Sequence, residues 1–189
     1  MPSFQSLLSE LKQQHYAYYI WVMLAPKHAR ELLLALLSFE AELEAIPTKV
    51  SEEMLGLIRF AWWEEAVDML EAGTLNRDHP VLRALESTSE LDINFLKKRL
   101  TFHRTHYTEH DHADGEICPN MMTSLIEDCY SHLRQAINSN EVSGSSGRED
   151  LTRAKQIKKW YRKASLVMAH AHAGKSLNSP LLMIRLLFK

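Results

Sequence analysis

Residues Val50 to Gly73 read VSEEMLGLIRFAWWEEAVDMLEAG, with His79-Pro80 close behind. Leu55, Ile58, Trp62, Ala66 and Met69 recur at helical spacing, and Phe60, Trp63, Val67 and Leu70 make a second stripe. Two stripes predict a helix contacted on more than one side. Ser51 stands where an N-cap belongs, and Glu52 and Glu53 suit the positive end of the helix dipole. On periodicity alone this is the central helix of an all-α core.

Outward from that helix the pattern is helix after helix. One is predicted over residues 3–24, stopped by Pro26, and a second over 27–46, ended by Pro47. The central helix covers 51–72, a short one 80–87, and a longer one 91–110. Pro119 opens a helix to about Asn138, and the last long helix spans 151–172. Between these two, the polar run NSNEVSGSSGRED (residues 138–150) predicts a flexible loop. There is neither an internal repeat nor a β pattern. The expectation is therefore an all-α single domain over residues 1–189, long enough for a substantial core at 46% hydrophobic content.

Several classes are excluded at this level. No apolar run reaches the length of a transmembrane helix. The start, MPSFQSLLSELK, lacks the pattern of a secretory signal or a transit peptide. Cys118 and Cys129 have neither metal-site spacing nor a disulfide framework, so a cytoplasmic setting is expected. There is no phosphate-binding glycine loop, nucleophile elbow or Cys/His nucleophile arrangement.

Charge is unevenly spread. Residues 151–189 carry nine Lys or Arg and no acid, against thirteen bases and twenty-four acids in the first 150, so a body of −11 is joined to a segment of +9. Leu151, Ala154, Ile157, Tyr161, Ala164 and Met168 share one face of the last helix. An amphipathic helix docked on the core accounts for that pattern. So does a helix whose Lys155, Lys158, Lys159, Arg162 and Lys163, with Arg185 in the tail, meet an anionic membrane surface, peripherally on the inner membrane. Nothing in the pattern points to nucleic acid.

The arrangement resembles the squalene/phytoene synthase superfamily, in which a helix LGxIRxxWWxxAxDxxxxG is followed by HPVLxAL. The match runs through Leu55-Gly56, Ile58-Arg59, Trp62-Trp63, Ala66, Asp68 and Gly73, then His79 to Leu82 and Ala84-Leu85. Upstream, Tyr18-Tyr19, Ala25-Pro26, Arg30 and Leu36 to Phe39 match the preceding helices, so the resemblance extends over about residues 15–105. It implies a shortened isoprenoid-synthase-like fold. Active members join two prenyl diphosphates head to head, with Mg²⁺ held between two aspartate-rich motifs.

Here the first motif would follow Phe39, where the chain reads FEAELEAIPT. Glu40 and Glu44 form an ExxxE pair, but Pro47 intervenes before a third acid. From Leu91 to Lys189 no DxxxD pair occurs. Glu64 and Asp68, an i, i+4 pair beside Trp63, could join Glu40 and Glu44 as an improvised metal site, or could lie on a solvated face paired with the basic tail. Arg59 is expected as a buried partner of Glu40 or Glu42, the alternative being bidentate binding of a diphosphate. His103, His106 and His110 share one side of a helix and are chemically adequate for Zn²⁺, although a hydrated, pH-sensitive surface is the reading preferred for them.

Within the superfamily the chain resembles a branch with a weakened first aspartate motif followed by PxxVSEPMLGxIRxQWW. Phe39, Glu42, Leu43, Pro47, Val50 to Glu52 and Met54 to Gly56 follow that form. The branch includes a mitochondrial assembly factor for respiratory complex I. The resemblance thus implies a non-catalytic, membrane-associated helper with a protein client and no cofactor. The alternatives are a Mg²⁺-dependent transferase acting on farnesyl or geranylgeranyl diphosphate, and a relic that binds an isoprenoid.

Overall fold

The computed structural model describes residues 4–88, 91–109, 119–141 and 147–172. Secondary structure among them is helical: α1 (Phe4–Gln14), α2 (Tyr16–Leu24), a 3-10 turn (Lys27–Ala29), α3 (Arg30–Glu44), α4 (Ile46–Lys49), α5 (Glu53–Glu71), α6 (Pro80–Glu86), α7 (Ile93–Glu109), α8 (Pro119–Glu141) and α9 (Gly147–His172). The fold class is all-α, as the periodicity predicts.

The boundaries differ from the sequence reading where local chemistry allows two outcomes. The first helix divides at His15, whose backbone (φ −134, ψ 69) leaves the helical region while its ring stacks on Tyr18 at 5.4 Å. Pro47 sits in the first turn of α4 instead of ending helical structure, because a residue without an N–H is tolerated there. Glu52, not Ser51, is the N-cap of α5, and its side chain makes no capping bond. α8 runs on to Glu141 and α9 begins at Gly147, so helix extends into both ends of the segment expected as a loop.

α5 stops where its sequence says it should. Gly73 takes φ +65, its N–H donates to Leu70 O at 3.2 Å, and Thr74 N–H donates to Met69 O at 2.9 Å. This is the Schellman arrangement, and glycine reaches the left-handed region without a Cβ penalty. α6 starts at Pro80, with His79 as N-cap accepting from Val81 N–H at 3.3 Å through Nδ1.

The chain divides into two compact units, Met1–Leu7 with Leu34–Ile117, and Leu8–Leu33 with Cys118–Lys189. In the first, α5 packs on α4, α6 and α7. Its buried face is Gly56, Phe60, Trp63, Ala66 and Val67, which takes three members of the second stripe and one of the first, while Leu70 is half-buried. Leu55 and Ile58, at 44% and 58% exposure, face out beside Met54 at 65%. The prediction of contact on several sides therefore fails for the first half of α5. Trp63 sits edge-on to Phe39 (5.4 Å) and to His79 (5.0 Å), which joins the tandem tryptophan to the His-Pro pair.

In the second unit α9 packs on α8 and α2. Its buried face is Ile157, Trp160, Ala164 and Val167, one residue round from the predicted stripe, and Leu151 is 57% exposed. Trp160 is fully enclosed and donates from Nε1 to Trp21 O at 2.9 Å, satisfying the one polar atom of a large apolar side chain. Tyr130 and Tyr161 meet between α8 and α9 with tilted rings, their centroids 4.4 Å apart.

Candidate functional site

The buried positions of α7 are Phe95, Leu96, Arg99, Leu100, His103 and Tyr107, one helical face on which two polar side chains occupy core places. Both meet Glu40 of α3. Glu40 and Arg99 have no exposure and His103 only 4%. Arg99 Nε donates to Glu40 Oε2 at 3.0 Å, and its Nη2 donates to Oε1. His103 Nε2 lies 2.7 Å from the same Oε1. Arg99 also stacks its guanidinium on Phe102 at 4.8 Å.

Electrostatics fix the charge state of Glu40. Burial pushes the Glu40 carboxyl up, but the charges of His103 and Arg99 and their hydrogen bonds outweigh it and hold the group at about 2. An arginine and a histidine within hydrogen-bond reach favour the ionised form of Glu40 more than burial disfavours it. The bidentate fork is the geometry in which arginine binds carboxylate best.

This changes the standing of each predicted ligand. Glu40 faces the core, with Arg99 and His103 on both its oxygens. Its partner is Arg99, whereas Arg59, expected in that role, is exposed. Glu42 pairs with Lys49 at 3.5 Å, and Glu44 is half-buried one turn beyond Glu40. Glu64 and Asp68 lie on the outer side of α5. Glu64 accepts from Arg104 at 2.8 and 3.0 Å, and Asp68 lies 3.0 Å from Lys97, which also reaches Glu71 at 2.7 Å. These acids raise the Lys97 pKa above its usual value, chiefly through the hydrogen bonds that Lys97 donates to Glu71 and then Asp68. Glu65 is held by Arg77. Cations on α7 and in the α5–α6 loop thus take the place expected for the basic tail.

The histidines part company. His103 turns into the core, correcting the reading of a hydrated cluster, while His106 is half-buried against Phe102 at 6.4 Å. His110 lies outside the described residues. Among the described residues no group of three His, Cys, Asp or Glu side chains is placed to hold a metal ion. Arg99 was missed by motif reading. Its signal was there, since Arg99 and His103 fall at i, i+4 in phase with the apolar stripe of α7.

A second polar feature belongs to α9. Lys155, Lys158, Lys159 and Arg162 are exposed and Lys163 half-buried, while Arg185 lies outside the described residues. Burial, and then the neighbouring Lys159 charge, push the Lys163 pKa below its usual value. No helix among the described residues is long and apolar enough to cross a membrane.

An all-α chain with the Leu-Gly…Trp-Trp helix packed against a His-Pro turn defines a class, and comparison with known proteins agrees. Residues 11–100 match the squalene/phytoene synthase family, and over that segment the chain is similar to it. A curated relative, NADH dehydrogenase (ubiquinone) complex I, assembly factor 6, of Bos taurus, is 36% identical over 61 residues. Those residues are 32% of this chain and 18% of that protein, so the chain spans less than a fifth of the relative it matches. No solved structure gives a significant match.

Proposed function

We propose that this protein is a non-catalytic squalene/phytoene synthase-like helper of the complex I assembly-factor type, acting on a protein client at an anionic membrane surface. The observation that carries the reading is Glu40. It opens the stretch in which the family's first metal-binding acids are expected, yet its two oxygens are occupied by Arg99 and His103 in a fully buried triad. A hard cation would have to displace charge-assisted bonds and enter the core to reach it. Glu64 and Asp68 are likewise committed to Arg104 and Lys97. The relation to an assembly factor supports a protein client, and the exposed cations of α9 support an anionic surface.

The test is direct. Purified protein with Mg²⁺ and radiolabelled farnesyl or geranylgeranyl diphosphate is expected to give no head-to-head product. Squalene, phytoene or a cyclopropyl diphosphate intermediate, formed well above a Glu40→Ala, Glu44→Ala double variant, would return the chain to the transferases.

A further inference from the structure

The turn between α2 and α3 and one face of α9 border an open cleft of about 480 Å³. Its lining includes Lys27, His28, Arg30, Lys159 and Lys163, with Trp160 as a buried apolar wall, and no acid. We propose that this cleft is a binding site for a phosphate group, either free or as the headgroup of an anionic lipid.

Three observations converge on an anion of this kind. Four side chains of the lining are basic, and none of Lys27, Lys159 and Lys163 has a carboxylate partner among the described residues. Like charges at i, i+4, as in Lys159 and Lys163, are mutually unfavourable, and a cleft lined by one sign of charge concentrates counter-ions. The frame is also rigid. Arg30 donates from Nε to Ala25 O and from Nη2 to Met23 O, both at 3.0 Å, which ties the turn to the start of α3 and leaves its Nη1 amino group uncommitted. On the other side Trp160 is anchored to Trp21 O, fixing the stretch of α9 from which Lys159 and Lys163 project. Burial first, and then the Lys159 charge, hold the Lys163 pKa down, and a bound anion would offset the second of these.

A phosphate suits this lining better than a carboxylate, because its several oxygens can meet separate lysine point charges and one arginine donor pair at once. The cleft is a local feature of the α2–α3 turn and α9, so it stands or falls apart from the assembly-factor reading and needs no protein client.

Thermal unfolding in inorganic phosphate, against chloride at matched ionic strength, tests the site. The parent is expected to gain in melting temperature with phosphate concentration beyond its response to chloride. A Lys159→Gln, Lys163→Gln variant should melt in chloride no lower than the parent. It should bind phosphate about thirtyfold more weakly, the effect of removing two nearby charges. A Lys155→Gln, Lys158→Gln variant loses the same charge from the same helix outside the cleft and should keep the parent's response. Two vesicle sets separate the sources, phosphatidylcholine with phosphatidic acid and phosphatidylcholine with phosphatidylglycerol, at equal surface charge. Preference for phosphatidic acid, competed by free phosphate, identifies a headgroup. A phosphate response without that preference identifies free phosphate. No gain over chloride, or equal losses in the two double variants, would overturn the proposal, leaving only diffuse charge. The phosphate arm contains no membrane, so its failure and a failure of membrane association are distinguishable.

Discussion

Glu40 lies 59 and 63 residues from the partners that neutralise it, and its carboxyl is held at about 2 against an ordinary 4.5. A carboxyl whose folded pKa is depressed stabilises the fold fully above the unfolded value and loses that contribution as pH falls toward the folded one. The window is therefore between about pH 5 and pH 2, and the shift corresponds to about 3 kcal/mol. Denaturant titrations across that range should show the parent losing about this much more stability than Glu40→Gln. At neutral pH the same substitution strands Arg99 in the core and should cost about 3–5 kcal/mol. A Glu40→Gln protein as stable as the parent at pH 7 would place the triad in contact with water.

Among the elements, α5 carries the family signature and the clearest packing constraints. A Cβ on Gly56 would overlap the phenol ring of Tyr107 on α7, reaching Cε1 at 2.7 Å as well as Cζ and Oη. Tyr107 is itself buried, beside Phe60 at 5.4 Å, and cannot swing away freely. Gly56→Ala gains up to about 1 kcal/mol of helix propensity, yet overpacking should leave it destabilised by about 1–3 kcal/mol. An unchanged or raised denaturation midpoint would show that α7 yields at this contact.

The tandem tryptophans of α5 separate in the same way. Trp63, 4% exposed between Phe39 and His79, should cost about 3–5 kcal/mol on substitution by alanine. Trp62 is half-buried under Arg77, whose guanidinium lies 4.7 Å from its ring, and should cost about 1–2 kcal/mol. Equal losses in paired melting curves would mean that both rings are core. The helical period placed both tryptophans on apolar stripes. It could not say which stripe faced a neighbour, because that depends on where α7 and α6 lie.

For the whole chain, the nine cations and no acids of residues 151–189 set the electrostatic character. Co-sedimentation with anionic vesicles at low salt should exceed that with neutral ones and fall as salt rises, since exposed charges are screened over about 10 Å at 0.1 M. A version ending at Asn178, lacking the apolar tail and Arg185, should bind more weakly. Equal binding to both vesicle types would remove the membrane from the functional reading.

What the sequence determined by itself is what short-range chemistry encodes. Apolar periodicity made the chain helical, Gly73 ended α5, and His79-Pro80 started α6, each acting within a turn or two of backbone. The squalene/phytoene synthase segment was legible for the same reason, its motifs being local and ordered. The tertiary structure alone decided the rest. It turned Leu55 and Ile58 outward, gave Glu40 to Arg99 and His103 instead of Arg59, and brought Trp160 to Trp21 across 139 residues of chain. It also set Lys159 and Lys163 beside Lys27 and Arg30 around one cleft. Burial of a charge depends on a partner being present in space, and contacts made across such separations leave no periodic trace in the residues between them.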